Sequence, residues 1–354
     1  WHEPGQPLGK SRLEKRIRTG YHGCVSDTPS GNDETMPGAR IGGDNSAASS
    51  GRHRTLKLLA SASNSSLRSL ADAMRLQRDP GVSAEVAGMT HVGRVRSNNQ
   101  DQFLIAALER SILVEASSLS AQGGTRLTDT PQGRLLIVAD GIGGHGGGEV
   151  ASAVAIDAMA HYAFEAMPWA LSKSRCSAED LAEGLRDAMR KAQDRVRRVA
   201  KRKALAEDMG TTLTMAYVAW PDLFIVHAGD SRAYLFRDDA LHRLTRDHTL
   251  AQQLVDGHAL SEEEAAASHL SHVLVNAVGG SSDELDVEFH HVELKLDDQL
   301  LLCTDGLHGY VDQATITGHL RRTGAPVERI VAELVDCANE AGGPDNVTAV
   351  LARF

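Results

Sequence analysis

The chain has 354 residues, 42% hydrophobic and 24% charged, enough for one large packed domain or two smaller ones. A formal net charge of −10 argues against nonspecific nucleic-acid binding, and 4% aromatic residues leave little for base-stacking platforms. Four scattered cysteines, Cys24, Cys176, Cys303 and Cys337, form no C-x-x-C pair, which speaks against a disulfide frame or zinc knuckle and for a reduced, cytoplasmic protein.

Residues 1–85 are rich in Ser, Gly, Arg and Asn and lack a sustained hydrophobic period, which predicts a disordered tail with a short helix near 66–77. The chain opens on Trp1, with Met36, Met74 and Met89 downstream. The tail therefore reads as a linker, a docking segment or an artefact of the reading frame. Residues 52–62 make a poor signal peptide, because the apolar part is short and broken by Lys57. No apolar run reaches the length of a membrane span.

The pattern tightens over 86–354. Residues 103–108 and 111–115 read as strands, and 133–139, all but continuously apolar, as a buried one. Residues 148–167 carry helical periodicity through Val150, Ala153, Val154, Ile156 and Ala160. Residues 177–203 open on Ser177 with Asp180 three positions on and close on basic residues, as a capped helix does. Strands follow at 211–220, 223–228 and 232–237, around turns at Pro221-Asp222 and Gly229-Asp230. Two short helices are expected at 249–257 and 261–268, strands at 286–296 and 299–303, a helix at 326–341 and a closing strand at 346–354. Strands in series with helices in separate groups predict an α+β fold with antiparallel sheets.

Three carboxylates stand at strand ends beside residues that permit tight turns: Asp140-Gly141, Asp305-Gly306 and Asp345-Asn346. Such carboxylates, gathered by folding, suit a hard divalent cation. Taken singly, each is equally well a helix cap or turn residue. The glycine-rich stretch 141–148 lacks the Gly-Lys-Ser/Thr ending of a phosphate loop, and its spacing is wrong for a dinucleotide fingerprint.

In order, the motifs are Arg96-Ser97-Asn98-Asn99-Gln100-Asp101, Val138-Ala139-Asp140-Gly141-Ile142-Gly143-Gly144, Met209-Gly210-Thr211-Thr212-Leu213, Gly229-Asp230-Ser231-Arg232, Thr304-Asp305-Gly306 and Gly343-Pro344-Asp345-Asn346. This series resembles the bacterial branch of the PPM family of metal-dependent serine/threonine protein phosphatases, or protein phosphatase 2C, from about residue 88 onward. The resemblance implies a four-layer αββα sandwich, two antiparallel sheets flanked by helix pairs, with a metal cleft at the sheet edge.

It also implies hydrolysis of phosphoserine and phosphothreonine in proteins by water activated between two Mn2+ or Mg2+ ions, with a third, weaker site. Asp140 would bridge the two ions, with the Gly141 carbonyl on one and Asp305 and Asp345 on the other. Asp101, and with it Gln100, would bind water at the rim. Asp230 would share the third ion with Asp305, Arg96 would grip the substrate phosphate, and Asn346 would support the ligands from behind. His145 stands three residues beyond the slot where some members carry a histidine, and is read as structural rather than as the general acid.

Residues 247–276 correspond to the variable flap beside the cleft. Gln100 replaces a common Glu and His91 a common Asp, which puts metal affinity in doubt more than activity. The setting implied is a cytoplasmic monomer that reverses a bacterial Ser/Thr kinase. The alternatives are a phosphatase dedicated to one phosphoprotein regulator and a pseudophosphatase that binds phosphoproteins without turnover.

Overall fold

The structure, a computed structural model, describes residues 84–354 except 110, 114–125, 129–132, 145, 166–176 and 206–207. The helix expected at 66–77, His145 and all but the end of the tail lie outside the described residues. Strands β1 (Glu85–His91) and β2 (Gln102–Leu108) come first, then β3 (Ser111–Leu113), β4 (Arg126–Thr128), β5 (Gly133–Ala139) and β6 (Gly141–Ile142). Helices α1 (Gly147–Glu165) and α2 (Ala178–Lys203) follow. Five strands succeed them: β7 (Gly210–Thr211), β8 (Leu213–Ala219), β9 (Asp222–Ala228), β10 (Arg232–Arg237) and β11 (Ala240–Arg243). Short helices α3 (Leu250–Asp256) and α4 (Glu262–Ala267) and a 3-10 turn (His269–His272) lead to β12 (Val278–Gly279), β13 (Glu288–Glu293) and β14 (Gln299–Cys303). Last come α5 (Asp305–His308), α6 (Gln313–Leu320), α7 (Val327–Glu340) and β15 (Val347–Arg353).

Two five-stranded sheets carry the fold, in the orders β1-β15-β14-β10-β11 and β13-β9-β8-β5-β2, with every pairing antiparallel. Side chains alternate between the faces of a strand, so a strand apolar at nearly every position must be covered on both faces. That is what β5 and β8 do. Leu135 and Ile137 of β5, with Met215 and Tyr217 of β8, pack under Ala155 and Met159 of α1 and Leu185 and Met189 of α2. The alternate residues, Leu136, Val138, Ala216 and Val218, pack between the sheets on Leu235, Leu300, Leu302 and Val350. The other face of the first sheet, with Tyr234, Leu301 and Leu351, packs on Ile316 of α6 and Ile330 and Leu334 of α7. Three apolar cores thus separate four layers, helices, sheet, sheet and helices, in an α+β sandwich.

Local signals fix the ends of α2. Ser177 Oγ accepts from the Asp180 N–H at 3.1 Å while Asp180 Oδ2 accepts from the Ser177 N–H at 3.0 Å. This reciprocal cap is worth about 1 kcal/mol, and Lys201, Arg202 and Lys203 complement the dipole at the other end of α2.

Candidate metal centre

Both sheets end at the same edge, and the acidic residues collect there. Asp101 precedes β2, whose Gln102 pairs with Ala139 at the end of β5, so it stands beside Asp140. Asp230 occupies the turn between β9 and β10. Asp305 opens α5 after β14, whose terminal Cys303 pairs with Arg232 on one side and Ala349 on the other. Asp345 lies two residues before β15. Five carboxylates from five separate segments therefore meet, and the two least conspicuous in the sequence, Asp101 and Asp230, are the most buried, at 1% and 6% exposure.

The turn glycines allow this convergence. A Cβ on Gly306 would lie 1.9 Å from the Asn346 carbonyl oxygen, and one on Gly141 would lie 2.2 Å from that of Gly148. Both are approaches of backbone to backbone, which no side-chain movement relieves.

Hydroxyl groups hold the acids in place. Asp101 Oδ2 accepts from Thr304 Oγ1 at 2.8 Å and Thr348 Oγ1 at 2.7 Å. The Asp140 N–H donates to Thr212 Oγ1 at 2.8 Å, and its carbonyl accepts from Thr211 Oγ1 at 2.8 Å and the Thr212 N–H at 2.9 Å. Thr212 Oγ1 in turn meets Ser231 Oγ, beside Asp230, at 2.7 Å. None of these hydroxyls was assigned a role from the sequence, although Thr211 and Thr212 lie in one of its motifs.

The cluster holds more negative charge than its surroundings balance. Burial pushes Asp140 well above the usual carboxylate range, and the charges of Asp101, Asp305, Asp230 and Asp345 add to it. Burial raises Asp101 to about 7 against its two threonine donors, and burial with Asp305 and Asp247 raises Asp230. Asp305 goes the other way: burial would raise it, but His272, His308 and a hydrogen bond from Asp140 hold it low. Asp101 Oδ1 and Asp305 Oδ1 are buried and have no hydrogen-bond partner among the described residues. Buried, unpartnered carboxylate oxygens in an all-oxygen setting fit hard divalent cations such as Mg2+ or Mn2+. The residues present thus suit a bound metal.

The remaining expected site residues surround the acids. Arg96, in the β1–β2 loop and 55% exposed, donates from Nη2 to Asp345 Oδ2 at 2.7 Å. Gln100 donates from Nε2 to the Gly143 carbonyl at 2.9 Å, and its N–H reaches Asn346 Oδ1 at 2.8 Å. Asn346 Nδ2 donates to the Val92 and Asn98 carbonyls, each at 2.9 Å, so it stitches the Arg96 loop to the start of β15. His308, unremarked in the sequence, meets the Asp230 carbonyl through Nε2 at 2.9 Å, and burial beside Arg232 lowers it to about 4.

His227, His248 and Glu288 also converge, with ligand-type atoms within 4.8 Å of one another. Hydrogen bonds already account for them. His227 Nε2 faces the Gly229 and Arg246 carbonyls at 3.0 Å each, so it donates, while Nδ1 meets Thr214 Oγ1 at 2.8 Å. His248 Nδ1 accepts from the Gly229 N–H at 3.2 Å, and the His248 backbone N–H donates to the Gly229 carbonyl at 2.7 Å. This group clamps the Asp230 turn to the 247–276 segment. Cys303, pushed up to about 12 by burial, is a small core residue.

A four-layer sandwich with an acidic centre at the shared edge of its sheets defines a class of metal-dependent fold, and comparison places the chain within it. Residues 115–353 match the family described as protein phosphatase 2C, and the chain belongs to that family. It is 37% identical over 219 residues to the serine/threonine protein phosphatase PstP of Mycobacterium tuberculosis, covering 62% of this chain and 40% of that protein. It is 31% identical over 221 residues to the serine/threonine phosphatase stp of Listeria innocua, covering 61% of this chain and 83% of that one. Among solved structures it is similar to the catalytic domain of PstP in complex with two manganese ions. That match has a TM-score of 0.58 and 32% identity, and covers 76% of this chain and 97% of that one.

Proposed function

We propose that this chain is a protein serine/threonine phosphatase that hydrolyses phosphoserine and phosphothreonine with two bound Mn2+ or Mg2+ ions. The observation that carries the reading is the set of five converging carboxylates, two of which hold buried oxygens without a partner among the described residues. The manganese in the similar PstP domain supports the choice of metal.

Asp140, Asp305 and Asp345, with the Gly141 carbonyl, would hold the two ions; Asp101 and Gln100 would bind water at the rim, and Asp230 would serve a third ion with Asp305. Bound there, the ions supply neutralisation of the phosphate dianion and a more acidic water. The chain's own part is positional. Thr304 and Thr348 fix the Asp101 carboxylate, and Thr211 and Thr212 fix the Asp140 backbone. Arg96, anchored at one end on Asp345, offers its guanidinium fork to the phosphate. Asn346 holds that loop in place.

The finer setting is also a proposal: a cytoplasmic monomer that reverses a Ser/Thr kinase, with residues 86–354 sufficient for turnover. Among the described residues no helix is long and apolar enough to cross a membrane.

The test is Mn2+-dependent phosphate release from a phosphothreonine peptide, with and without excess EDTA. Release that requires Mn2+, stops with chelator and is lost in Asp305→Asn is the expected result. A folded chain that releases no phosphate at any Mn2+ concentration would sink the enzymatic reading and favour a phosphoprotein-binding protein.

A further inference from the structure

The 247–276 segment reaches Asp305 through His272. His272 closes the 3-10 turn His269–His272, which Ser268 caps by accepting from the Leu270 N–H at 3.2 Å. The backbone beyond it is tied down. The Leu250 N–H donates to the Val273 carbonyl at 2.8 Å, the Val275 N–H to the His248 carbonyl at 2.9 Å, and the His248 N–H to the Gly229 carbonyl at 2.7 Å. A run of main-chain hydrogen bonds therefore joins His272 to the turn that carries Asp230.

His272 Nδ1 stands 3.8 Å from Asp305 Oδ2, beyond hydrogen-bond length, and its side chain is 61% exposed. The imidazole pairs with Asp305 at long range and still faces solvent. His227 and His308 differ, since both are tied to backbone carbonyls within the fold. On the Asp345 side stands Arg96, also more than half exposed. Two nitrogen donors from unconnected segments thus flank the same carboxylates, one at Asp305 and one at Asp345. An imidazole keeps at least one N–H in either charge state, so donation here requires no titration.

We propose that His272 donates a hydrogen bond to a phosphate oxygen of the substrate, opposite Arg96, so that the 247–276 segment binds the phosphate itself. The inference rests on the phosphatase reading above. The contact is made in the bound ground state and kept through reaction, so it bears on KM and product affinity more than on kcat.

The experiment compares the full chain with His272→Ala and His272→Gln. Calorimetry gives the affinity for Mn2+, then the affinity of the Mn2+-loaded protein for inorganic phosphate. Steady-state kinetics with a phosphothreonine peptide gives KM and kcat. Loss of one hydrogen bond to a charged oxygen predicts that His272→Ala raises the phosphate Kd and the KM about 10-fold or more. Mn2+ affinity and kcat should stay within about 2-fold. Gln, which keeps an N–H donor, should restore most of the phosphate affinity. Unchanged phosphate binding in His272→Ala overturns the proposal. So does an equal loss of Mn2+ affinity, which would make His272 a support for Asp305. If the wild-type chain binds phosphate but releases none from the peptide, the phosphatase reading fails, while calorimetry still decides whether His272 contacts phosphate.

Discussion

Asn346→Ala should be the most damaging polar truncation near the centre, for reasons that can be counted. Asn346 is 5% exposed. Its amide accepts from the Gln100 N–H at 2.8 Å and donates to the Val92 and Asn98 carbonyls at 2.9 Å each. At about 1 kcal/mol net per bond, removing three costs about 3 kcal/mol. That is a large share of the roughly 5–15 kcal/mol that holds a typical domain together. In a unit of this size it lowers Tm by roughly 6–12 °C. The assay is urea and thermal denaturation of the EDTA-treated chain followed by circular dichroism, so that metal binding does not mask the loss. Asn346→Asp sharpens the test: it keeps the acceptor for Gln100, loses both donors and places a second carboxylate beside Asp345. At pH 8 it should be at least as destabilised as the alanine variant. A loss below about 1 kcal/mol in both would refute the claim that this amide stitches the Arg96 loop to β15.

Gly306→Ala forces a methyl against the Asn346 carbonyl, 1.9 Å away. We expect a lower urea midpoint and at least about 10-fold weaker Mn2+ binding by calorimetry; wild-type values in both would show that the Asp305 and Asp345 segments are not pressed together. Burial, aided by the charge of His248, holds His227 near 4, against about 6.5 when unfolded. Between those values the unfolded chain binds a proton that the folded chain does not, so this group's contribution falls as pH drops from about 6.5 towards 4, by up to about 3 kcal/mol. Asp101, raised to about 7, works in the opposite sense, so the readout is the difference between wild type and His227→Gln. Their urea-derived stabilities should converge as pH falls, and a constant difference from pH 7.5 to 4.5 would refute the burial argument.

Much of this molecule could be read from its residues, for physical reasons. Strands such as β5, β8 and β14 announce themselves because burial on both faces demands unbroken apolar runs. Helix α2 carried its own cap in Ser177 and Asp180. Strand β1 went unread because it lies at a sheet edge with Met89 exposed, so no apolar run marks it. Helix α6 buries only Ile316 and Leu320, too few for a visible period. Strands β6, β7 and β12 are two residues each and exist only as pairings.

In the acidic centre, an Asp followed by Gly or Asn at a strand end is a local signal, so Asp140, Asp305 and Asp345 stood out. The threonines that hold Asp101 and the Asp140 backbone gave no such signal. Thr304 and Thr348 lie 203 and 247 positions from the carboxylate they bind, and a threonine in or beside a strand is ordinary. His272 is equally opaque in sequence, since only the chain's return over the centre brings it to Asp305.

The place of β15 sets the order in which the chain can mature. Among the described residues this strand is the only sheet neighbour of β1, and it also flanks β14. Glu85 pairs with Arg353 at one end of the β1 ladder and His91 with Val347 at the other. During synthesis β1 therefore waits unpaired while more than two hundred residues are added, and contacts so distant in sequence form slowly. Asp101 waits as well, since Thr348 is one of its two hydroxyl donors. A nascent chain that stops short of residue 347 has neither a closed first sheet nor Asp101 fully fixed. Competence should thus arise in one late step rather than by degrees, and until then the bare edge of β1 is a natural client for chaperones.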